Sequence, residues 1–517
     1  MKMLKILSLS FCLFSFTLTA QIKEKKLDRL IENTLKAFDV PGISVGIVKD
    51  GKVIYAKGHG VRSLSNNKDM NENTLVGVAS NSKGFTCFAL AILVDEGKLD
   101  WNDKVRKHIP EFKMPEDFVT EEFTVRDLVT HRSGLSLGAG DLMFFPEGGD
   151  FTIDDVLANV SKLEPESSFR SEFKYNNNMF IIAGEVIHRV SGLTWEQFIE
   201  ERILQPVEMK NSKAAYSRVT DKSNIIDAHT RTEGEVIQIP HDWSDLANPA
   251  GGIMSNVTDM LTWAEFLMND AVTKNGERIL SEEQMHELWQ LQTPLPVSKN
   301  NSYATHFSGY SLGWFVSDVK GGYKQVTHTG GLLGTVTQFT LIPELDLGIV
   351  VLTNQMIGSA FSTITNTVKD SYLGYKDRNW LEKYGKRNSD WIVKNDSIKN
   401  AVYQQVEKFS SSDKILNANQ ITGTYEDTWL GKFHITEEGK NLKITSERNP
   451  VLTAELLPYN TTTYVAKWKN RSFDADVFVL FSLDEHGKAQ SATMKYIAPI
   501  TDFSFDFGDL HLKRAKE

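Results

Sequence analysis

The sequence predicts an α+β fold, in which helices flank an antiparallel sheet with a helical insert, and a small C-terminal all-β, barrel-like domain follows. Three observations predict it. Segments rich in β-branched and aromatic residues, typical of strands, occur near the N-terminus and again after residue 310. Helical periodicity dominates the region between them. From about residue 421 onward, short strand-like runs alternate with turns.

The first 20 residues have the pattern of a secretory signal peptide. Lys2 and Lys5 supply positive charge ahead of an apolar run over 6–18, which is too short for a comfortable membrane span. Ala20 is a small residue before a predicted cleavage at Gln21. We therefore expect an exported protein, periplasmic or secreted, with no transmembrane anchor in the mature chain.

The larger domain opens with a helix and a hairpin. Apolar spacing predicts a helix over 26–38, and Pro41-Gly42 ends it. Strands over 43–49 and 52–57 then flank Asp50-Gly51, a favoured two-residue turn. Helices of the insert are predicted at 85–94, 125–130, 153–160, 179–190, 195–203 and 260–268. Returning strands are predicted at 312–319, 324–327, 335–342 and 348–353, before a last helix at 361–373.

The remaining chain divides into a connecting segment and a second domain. Residues 376–414 are charged, with Trp380 and Trp391 as isolated apolar anchors. Residues 415–517 show alternating apolar positions around turns at Glu438-Gly439 and His486-Gly487, which indicates strands with one buried face. We thus predict a signal at 1–20, a main domain at 21–375, a connection at 376–414 and a β domain at 415–517.

Composition argues against several functional classes. The formal net charge is -10 and no basic stretch is present, so nucleic acid is not expected as a partner. The 12 histidines are scattered, and Gln290 stands where a zinc-hydrolase helix beginning at His286-Glu287 would need its second histidine. We expect neither a metal nor another cofactor. Cleavage of the signal removes Cys12 and leaves Cys87, which lies in an apolar helical run and is expected to pack in the core.

The candidate catalytic residues begin with Ser80 and Lys83. The spacing Ser-x-x-Lys is weak by itself, and Ser80 alone could be an ordinary helix N-cap. However, Ser80 precedes the long apolar helix, which places its hydroxyl and the Lys83 amine on one helix face, one turn apart. A serine at a helix start also lies in the positive potential of free backbone N–H groups, which favours an attacking alkoxide.

Two further segments complete the set. Tyr175 and Asn177 form a Tyr-x-Asn just before a predicted helix, where a loop tyrosine beside an N-cap is the plain alternative. A tyrosine acts as a base only if its pKa falls, which a neighbouring ammonium would cause. His328, Thr329 and the glycines Gly330 and Gly331 join two predicted strands; an ordinary glycine-rich turn is the alternative there. The three segments in this order favour acyl-transfer chemistry.

In these motifs the sequence resembles the beta-lactamase-like serine hydrolases, a group that includes class C beta-lactamases, D,D-carboxypeptidases, D-aminopeptidases and esterases. The stretches Thr-Val-Arg-Asp-Leu-Val-Thr-His-Arg-Ser-Gly-Leu at 124–135 and Asn-Pro-Ala-Gly-Gly-Ile-Met-Ser at 248–255 agree with it. The likeness covers about residues 25–375 and implies a beta-lactamase-like sheet. The region from residue 421 resembles the lipocalin-like C-terminal domain of some peptidase relatives.

The resemblance implies a role for each residue. Ser80 is the nucleophile and Lys83 its activating partner, while Tyr175 assists as base and then as acid to the leaving group. Asn177 orients the substrate amide. The backbone N–H groups of Ser80 and Gly331 form the oxyanion hole, where one donor can be worth about 3–4 kcal/mol.

His328 stands where many members of the group have lysine. That difference weakens a beta-lactamase assignment, because a lysine ammonium anchors a drug carboxylate. Family peptidases and esterases accept histidine there. His328, Thr329 and Gly330 are therefore expected, with Asn177 and Gly331, to bind substrate.

A rival nucleophile is Ser136. The stretch Gly-Leu-Ser-Leu-Gly at 134–138 matches the nucleophile elbow of α/β-hydrolases, but that elbow needs a strand before it and a helix after it. The segment before Ser136 is predicted to be helical and glycine-rich residues follow, so a simple turn is the favoured interpretation.

We therefore expect an exported serine hydrolase that acts through a covalent acyl-enzyme on the amide or ester bonds of a small-molecule or peptide substrate. Peptidase or amidase activity is favoured, with specificity for D-residues among the options. The alternatives are an esterase, a penicillin-binding protein or beta-lactamase, and a non-catalytic binding protein whose C-terminal barrel recognises a ligand.

Overall fold

The computed structural model describes residues 22–439 and 441–516. The predicted signal peptide, 1–20, and Cys12 lie outside the described residues. Within those ranges, no helix is both long enough and apolar enough to cross a membrane.

The described residues contain helices of very different length. The longest helices of the main domain pack in its core or on its sheet, and the short ones shape the insert between them. In chain order they are α1 (Glu24–Phe38), α2 (Ser82–Asp95), α3 (Val105–His108), α4 (Asp117–Glu122), α5 (Val125–Leu128), α6 (Ile153–Val160), α7 (Asn177–Ser191), α8 (Trp195–Ile199), α9 (Gln205–Val207), α10 (Asn248–Gly251), α11 (Val257–Met268), α12 (Glu282–Leu288), α13 (Gly358–Leu373), α14 (Trp380–Phe409) and α15 (Ala418–Ile421).

The strands form one large sheet, two small two-stranded sheets and a closed barrel. In chain order they are β1 (Gly42–Lys49), β2 (Lys52–Gly60), β3 (Val76–Gly77), β4 (Ala228–Thr232), β5 (Glu235–Ile239), β6 (Met254–Ser255), β7 (Thr293–Pro294), β8 (Ser308–Tyr310), β9 (Phe315–Val319), β10 (Tyr323–Leu332), β11 (Thr335–Ile342), β12 (Leu347–Thr353), β13 (Gly423–Asp427), β14 (Gly431–Glu438), β15 (Asn441–Ser446), β16 (Thr453–Pro458), β17 (Thr463–Trp468), β18 (Val477–Leu483), β19 (Ala489–Tyr496) and β20 (His511–Arg514).

The large sheet joins the two ends of the main domain. Its eight strands lie in the order β2-β1-β12-β11-β10-β9-β8-β7, and β1 pairs with β12 antiparallel, Ile43 opposite Thr353. The chain therefore leaves the sheet after β2, builds the helical insert, and returns at β7. This arrangement brings β10, near the end of the domain, close to the start of α2.

Both faces of the large sheet are covered. All residues of β12 are buried, as expected for a strand packed on two sides. On one face α1 and α13 contribute Leu27, Ile31 and Ile364 to a common apolar cluster. On the other face α11 packs against β12, whose Val350 belongs to the same apolar cluster as the residues of α2. The sheet therefore holds β10, one of its inner strands, within a structure that is packed on both faces.

The C-terminal domain is a closed barrel of β13 to β20. Its interior contains large buried aromatic residues, among them Tyr425, Tyr464 and Trp468. The 30-residue helix α14 links it to the main domain. This helix is held at one end by Trp380, whose indole N–H donates to Asp370 at 2.6 Å, and further along by an ion pair between Lys399 and Asp474 at 2.8 Å.

The predicted fold class is confirmed: a mixed sheet-and-helix domain with a helical insert precedes an all-β barrel.

Candidate active site

Ser80 lies in a short 3-10 turn, Ala79–Asn81, immediately before α2. Helix α2 is fixed in the core, with every residue from Ser82 to Leu93 buried. Its packing is tight: a Cβ added at Gly84 would lie 2.2 Å from the Trp314 ring. Ser80 itself is only partly buried. The sequence therefore places a partly exposed hydroxyl at the N-terminal end of a tightly packed helix.

Lys83 lies one turn further on and is wholly buried. Its Nζ donates three hydrogen bonds, to Ser80 Oγ at 3.1 Å, Asn177 Oδ1 at 2.7 Å and the Ala250 carbonyl at 2.8 Å. Burial lowers the pKa of Lys83 from 10.5 to about 7, and the nearby Asp141 carboxylate opposes this fall. A lysine with this pKa can accept a proton from Ser80 near neutral pH.

Tyr175 lies beside this pair, just before α7. Lys83 Nζ is 4.8 Å from the centroid of the phenol ring. Burial raises the pKa of Tyr175 above its ordinary value of 10, and a hydrogen bond with Ser80 opposes that rise. The sequence argument expected the ammonium to lower the pKa of this phenol; burial reverses the direction. Tyr175 is therefore protonated at neutral pH and suited to donate rather than accept a proton.

Asn177 connects Lys83 to an acid that the sequence did not single out. Its Oδ1 accepts from Lys83, and its Nδ2 donates to Asp141 Oδ2 at 2.8 Å. Asp141 is fully buried, and burial raises the pKa of its carboxyl from 3.8 to about 7. Hydrogen bonds from Asn177 and from Ser504 of the barrel oppose that rise. No local motif marks Asp141, so only its position in space reveals it.

Strand β10 approaches the Ser80 turn closely because of Gly330. A Cβ at Gly330 would lie 2.2 Å from the Val78 carbonyl oxygen, whereas one at Gly331 would meet no atom within 4 Å. Thr329 and Gly331 are exposed, while His328 and Gly330 are buried. The strand therefore presents alternate residues to the open side of the site, where a substrate has room.

His328 lies on the buried side of β10. Its Nδ1 donates to the Thr329 carbonyl at 2.6 Å, so its Nε2 accepts from the Tyr310 hydroxyl at 3.1 Å. Burial and the charge of Lys83 lower the pKa of His328 from 6.5 to about 3. The ring is therefore neutral at physiological pH and supplies no cation for a substrate carboxylate.

A second buried histidine, His131, packs against the ring of Tyr175. Sequence reasoning did not identify it as a site residue. Its ring centroid is 4.1 Å from that of Tyr175, and its Nδ1 accepts from the backbone N–H of Asn176 at 3.1 Å. Burial lowers its pKa well below 6.5, so the ring is neutral. The only sequence signal was its place in the stretch 124–135.

The structure thus brings Ser80, Lys83, Tyr175 and Asn177 into direct contact, with β10 alongside. Ser136 is excluded from this group: it lies in a loop followed by turns, without the strand and helix of a nucleophile elbow, and its Oγ donates to Asp509 at 2.6 Å. In residues 22–439 and 441–516, no group of three or more histidine, cysteine or acidic side chains is arranged to hold a metal ion.

Known proteins match both parts of the chain. A family model described as Beta-lactamase matches residues 27–372, and one described as Domain of unknown function (DUF3471) matches residues 412–514. Protein flp of Staphylococcus aureus is 27% identical over 333 residues, which cover 64% of this chain and 63% of that protein. Unguisins hydrolase ungD' of Aspergillus campestris is 26% identical over 357 residues, covering 64% and 62%. The match therefore spans less than two thirds of the length of these relatives.

Solved structures show the same fold. The octameric penicillin-binding protein homologue from Pyrococcus abyssi has a TM-score of 0.60 at 23% identity, covering 95% of this chain and all of that one. A structure described as SurE has a TM-score of 0.55 at 17% identity, covering 95% and 99%. The resemblance inferred from the motifs is confirmed. Because the family model covers residues 27–372 of 517, the chain belongs to the beta-lactamase family, a family of serine hydrolases.

Proposed function

We propose that this protein is a serine hydrolase that forms an acyl-enzyme on Ser80 and cleaves amide or ester bonds, with a peptidase or amidase reaction favoured. One observation carries the proposal: the buried Lys83 amine, with its pKa near 7, lies 3.1 Å from a partly exposed serine hydroxyl. A serine is a weak nucleophile until a neighbouring base takes its proton.

Acylation follows from this geometry. Ser80 Oγ attacks the substrate carbonyl carbon while neutral Lys83 accepts the hydroxyl proton. The carbonyl π-bond opens to an oxyanion, for which the backbone N–H groups of Ser80 and Gly331 are the proposed donors. As the oxyanion collapses, the bond to the leaving nitrogen or oxygen breaks. The Tyr175 phenol donates a proton to that atom and is reprotonated from Lys83.

Deacylation again uses Lys83 as the proton acceptor. Water attacks the ester carbonyl of the acyl-enzyme and gives its proton to the neutral Lys83 amine. Ser80 leaves and takes a proton back, which releases the carboxylic acid and restores the free enzyme. Asn177 holds Lys83 in line throughout, because its amide oxygen accepts from the lysine at 2.7 Å.

A specific observation favours esterase activity over beta-lactamase activity as the second candidate. The neutral His328 gives β10 no positive charge to hold a substrate carboxylate. This argues against a substrate that must be anchored by a carboxylate at that point, as a beta-lactam drug would be. Neutral amides and simple esters need no such anchor. The word hydrolase in the name of the Aspergillus relative is compatible with either reaction.

We also propose export to the periplasm or the medium, on the pattern of residues 1–20. Mass spectrometry of the secreted or periplasmic protein tests it, and a mature N-terminus at Gln21 is the expected result. Recovery of the full-length chain from the cytoplasm would contradict it.

Covalent labelling tests the nucleophile. The purified protein is treated with a fluorophosphonate probe, and the adduct is mapped by peptide mass spectrometry. We expect labelling on Ser80, its loss in Ser80→Ala and its retention in Ser136→Ala, the matched control. Labelling that survives Ser80→Ala overturns the assignment.

A substrate screen then separates the activities. D- and L-amino-acid amides, short peptides, p-nitrophenyl esters and nitrocefin are compared by kcat/KM. We expect turnover of amides or esters and little of nitrocefin. A stable penicilloyl adduct on Ser80 would instead support a penicillin-binding protein. The absence of turnover and of any Ser80 adduct would support a binding protein.

A further inference from the structure

The barrel domain reaches into the active site through the segment that joins β19 to β20, residues 497–510, called here the barrel loop. It contacts residues 136–145 of the main domain, called here the acceptor segment. Asp506 of the barrel loop accepts from the backbone N–H of Gly140 at 2.6 Å and of Leu142 at 3.1 Å. Phe505 packs on Phe145 with ring centroids 4.8 Å apart. The two segments therefore form a well-bonded interface rather than a loose contact.

The acceptor segment in turn holds the stretch that contains Tyr175. The backbone N–H of Gly138 donates to the Tyr175 carbonyl at 2.9 Å. The Ala139 carbonyl accepts from the side-chain amides of both Asn176 and Asn178 at 3.0 Å. The start of α7, with its catalytic candidates, is therefore bonded to the segment on which the barrel loop lies.

A single chain of hydrogen bonds runs from the barrel loop to the nucleophile. Ser504 Oγ donates to Asp141 Oδ2 at 2.8 Å, and Asn177 Nδ2 donates to the same oxygen at 2.8 Å. Asn177 Oδ1 then accepts from Lys83, which donates to Ser80 Oγ. Within the described residues the other oxygen of Asp141, Oδ1, is buried without a hydrogen-bond partner. Ser504 thus supplies one of the two hydrogen bonds that this carboxylate receives.

We propose that Ser504 is a positioning residue for the catalytic lysine, acting through Asp141 and Asn177 from a different domain. The inference rests on the proposed function of Ser80 and Lys83. Asp141 accepts a hydrogen bond from the amide nitrogen of Asn177. The amide oxygen of Asn177 is therefore the end that faces Lys83. A rotated amide would place its NH2 donors against the lysine. Ser504 holds the Asp141 oxygen where it accepts from the amide nitrogen of Asn177, and this keeps the amide in the correct orientation.

Ser504 also affects charge. Its hydrogen bond stabilises the ionised form of Asp141, and the Asp141 carboxylate raises the pKa of Lys83. Removal of the hydroxyl therefore raises the pKa of Asp141, reduces its negative charge near neutral pH and lowers the pKa of Lys83 further. The titratable groups around Lys83 are Asp141, Cys87, Tyr175, His131 and His328. Those around Asp141 are Lys83, Asp502 and Asp506.

The test compares Ser504→Ala, Ser504→Thr and Ser136→Ala in the full chain. Ser136 donates across the same interface to Asp509 but has no link to Asp141, so its variant controls for a loosened interface. The rate of Ser80 labelling by the fluorophosphonate, and kcat/KM for a p-nitrophenyl ester, are measured from pH 5 to pH 9.

For Ser504→Ala we expect the plateau rate to fall about tenfold, as for loss of one hydrogen bond to a charged group. The midpoint of the acid limb is expected to move to lower pH. Ser504→Thr, which keeps a hydroxyl, restores both, and Ser136→Ala changes neither. An unchanged midpoint and plateau in Ser504→Ala, or an equal loss in Ser136→Ala, overturns the inference. If the unmodified protein shows no Ser80 labelling, the proposed function itself fails, which is a separate result.

Discussion

The lowered pKa of Lys83 leads to a prediction that the structure makes quantitative. With an ordinary pKa of 10.5, roughly 1 lysine in 3,000 is neutral at pH 7; with a pKa of about 7, about half are neutral. The fall corresponds to about 5 kcal/mol of differential destabilisation of the ammonium. Lys83 is wholly buried, so solvent does not screen this effect. In the proposed mechanism the neutral amine is the active form, so activity should rise with pH through about 7 and then level.

The perturbation that tests this is Lys83→Arg. A guanidinium keeps the charge and much of the length but does not lose its proton in a protein, so it cannot accept one from Ser80. Because an arginine is neutral even less often than a lysine of pKa 10.5, we expect kcat/KM for a p-nitrophenyl ester to fall by at least about a thousandfold, roughly the ratio of the two lysine neutral fractions above. Circular dichroism and thermal unfolding verify that the variant is folded.

Two results would refute the reasoning. One is an unmodified enzyme whose activity shows no acid limb between about pH 6 and 8. The other is a folded Lys83→Arg variant that retains more than about a tenth of the activity, since that residue cannot be the proton acceptor. Either outcome would leave Ser80 without the base that the proposal requires.

Three further predictions follow from the packing of the main domain, two of them beside the site. Gly330→Ala places a Cβ 2.2 Å from the Val78 carbonyl oxygen, so we expect a stability loss of about 1–3 kcal/mol and at least tenfold lower kcat/KM. The control, Gly331→Ala, places its Cβ in open space and should leave the thermal midpoint unchanged. Phe503→Ala removes an exposed ring 5.8 Å from the candidate phenol, and a substrate series should show a wider tolerance for bulky groups without loss of Ser80 labelling. Trp380→Phe removes the 2.6 Å hydrogen bond to a buried carboxylate, and denaturant unfolding should show a loss of about 1–3 kcal/mol.

Much of the fold was predictable because its patterns are local. The helix predicted at 153–160 has the observed bounds of α6, where Thr152 forms a capping box with Asp155. The strand predicted at 335–342 has the bounds of β11, and five of its eight residues are β-branched, as is typical of a buried strand. Helix α14 was expected only as a connecting segment, because few of its residues are buried and its apolar face is weak.

The site was predictable in part for the same reason. Ser80 and Lys83 are one helical turn apart, and Tyr175 and Asn177 are two residues apart, so short motifs reveal them. Ser504 lies 363 residues from Asp141, and no pattern in the sequence links them. The protonation states could not be predicted from the sequence either, because they depend on burial, which only the folded chain defines.

Burial brings the pKa values of Lys83 and Asp141, the two charged groups of the site, close together. It lowers the pKa of Lys83 to about 7 and raises that of Asp141 to about 7. Near neutral pH both groups are therefore close to the point at which they gain or lose a proton, and Asn177 lies between the two. In the proposed mechanism, a proton that Lys83 accepts from Ser80 therefore costs little free energy to hold or to return. It follows that the acid limb of activity belongs to the pair rather than to the lysine alone. The barrel loop, through its hydrogen bond to the acid, is part of what sets that pH.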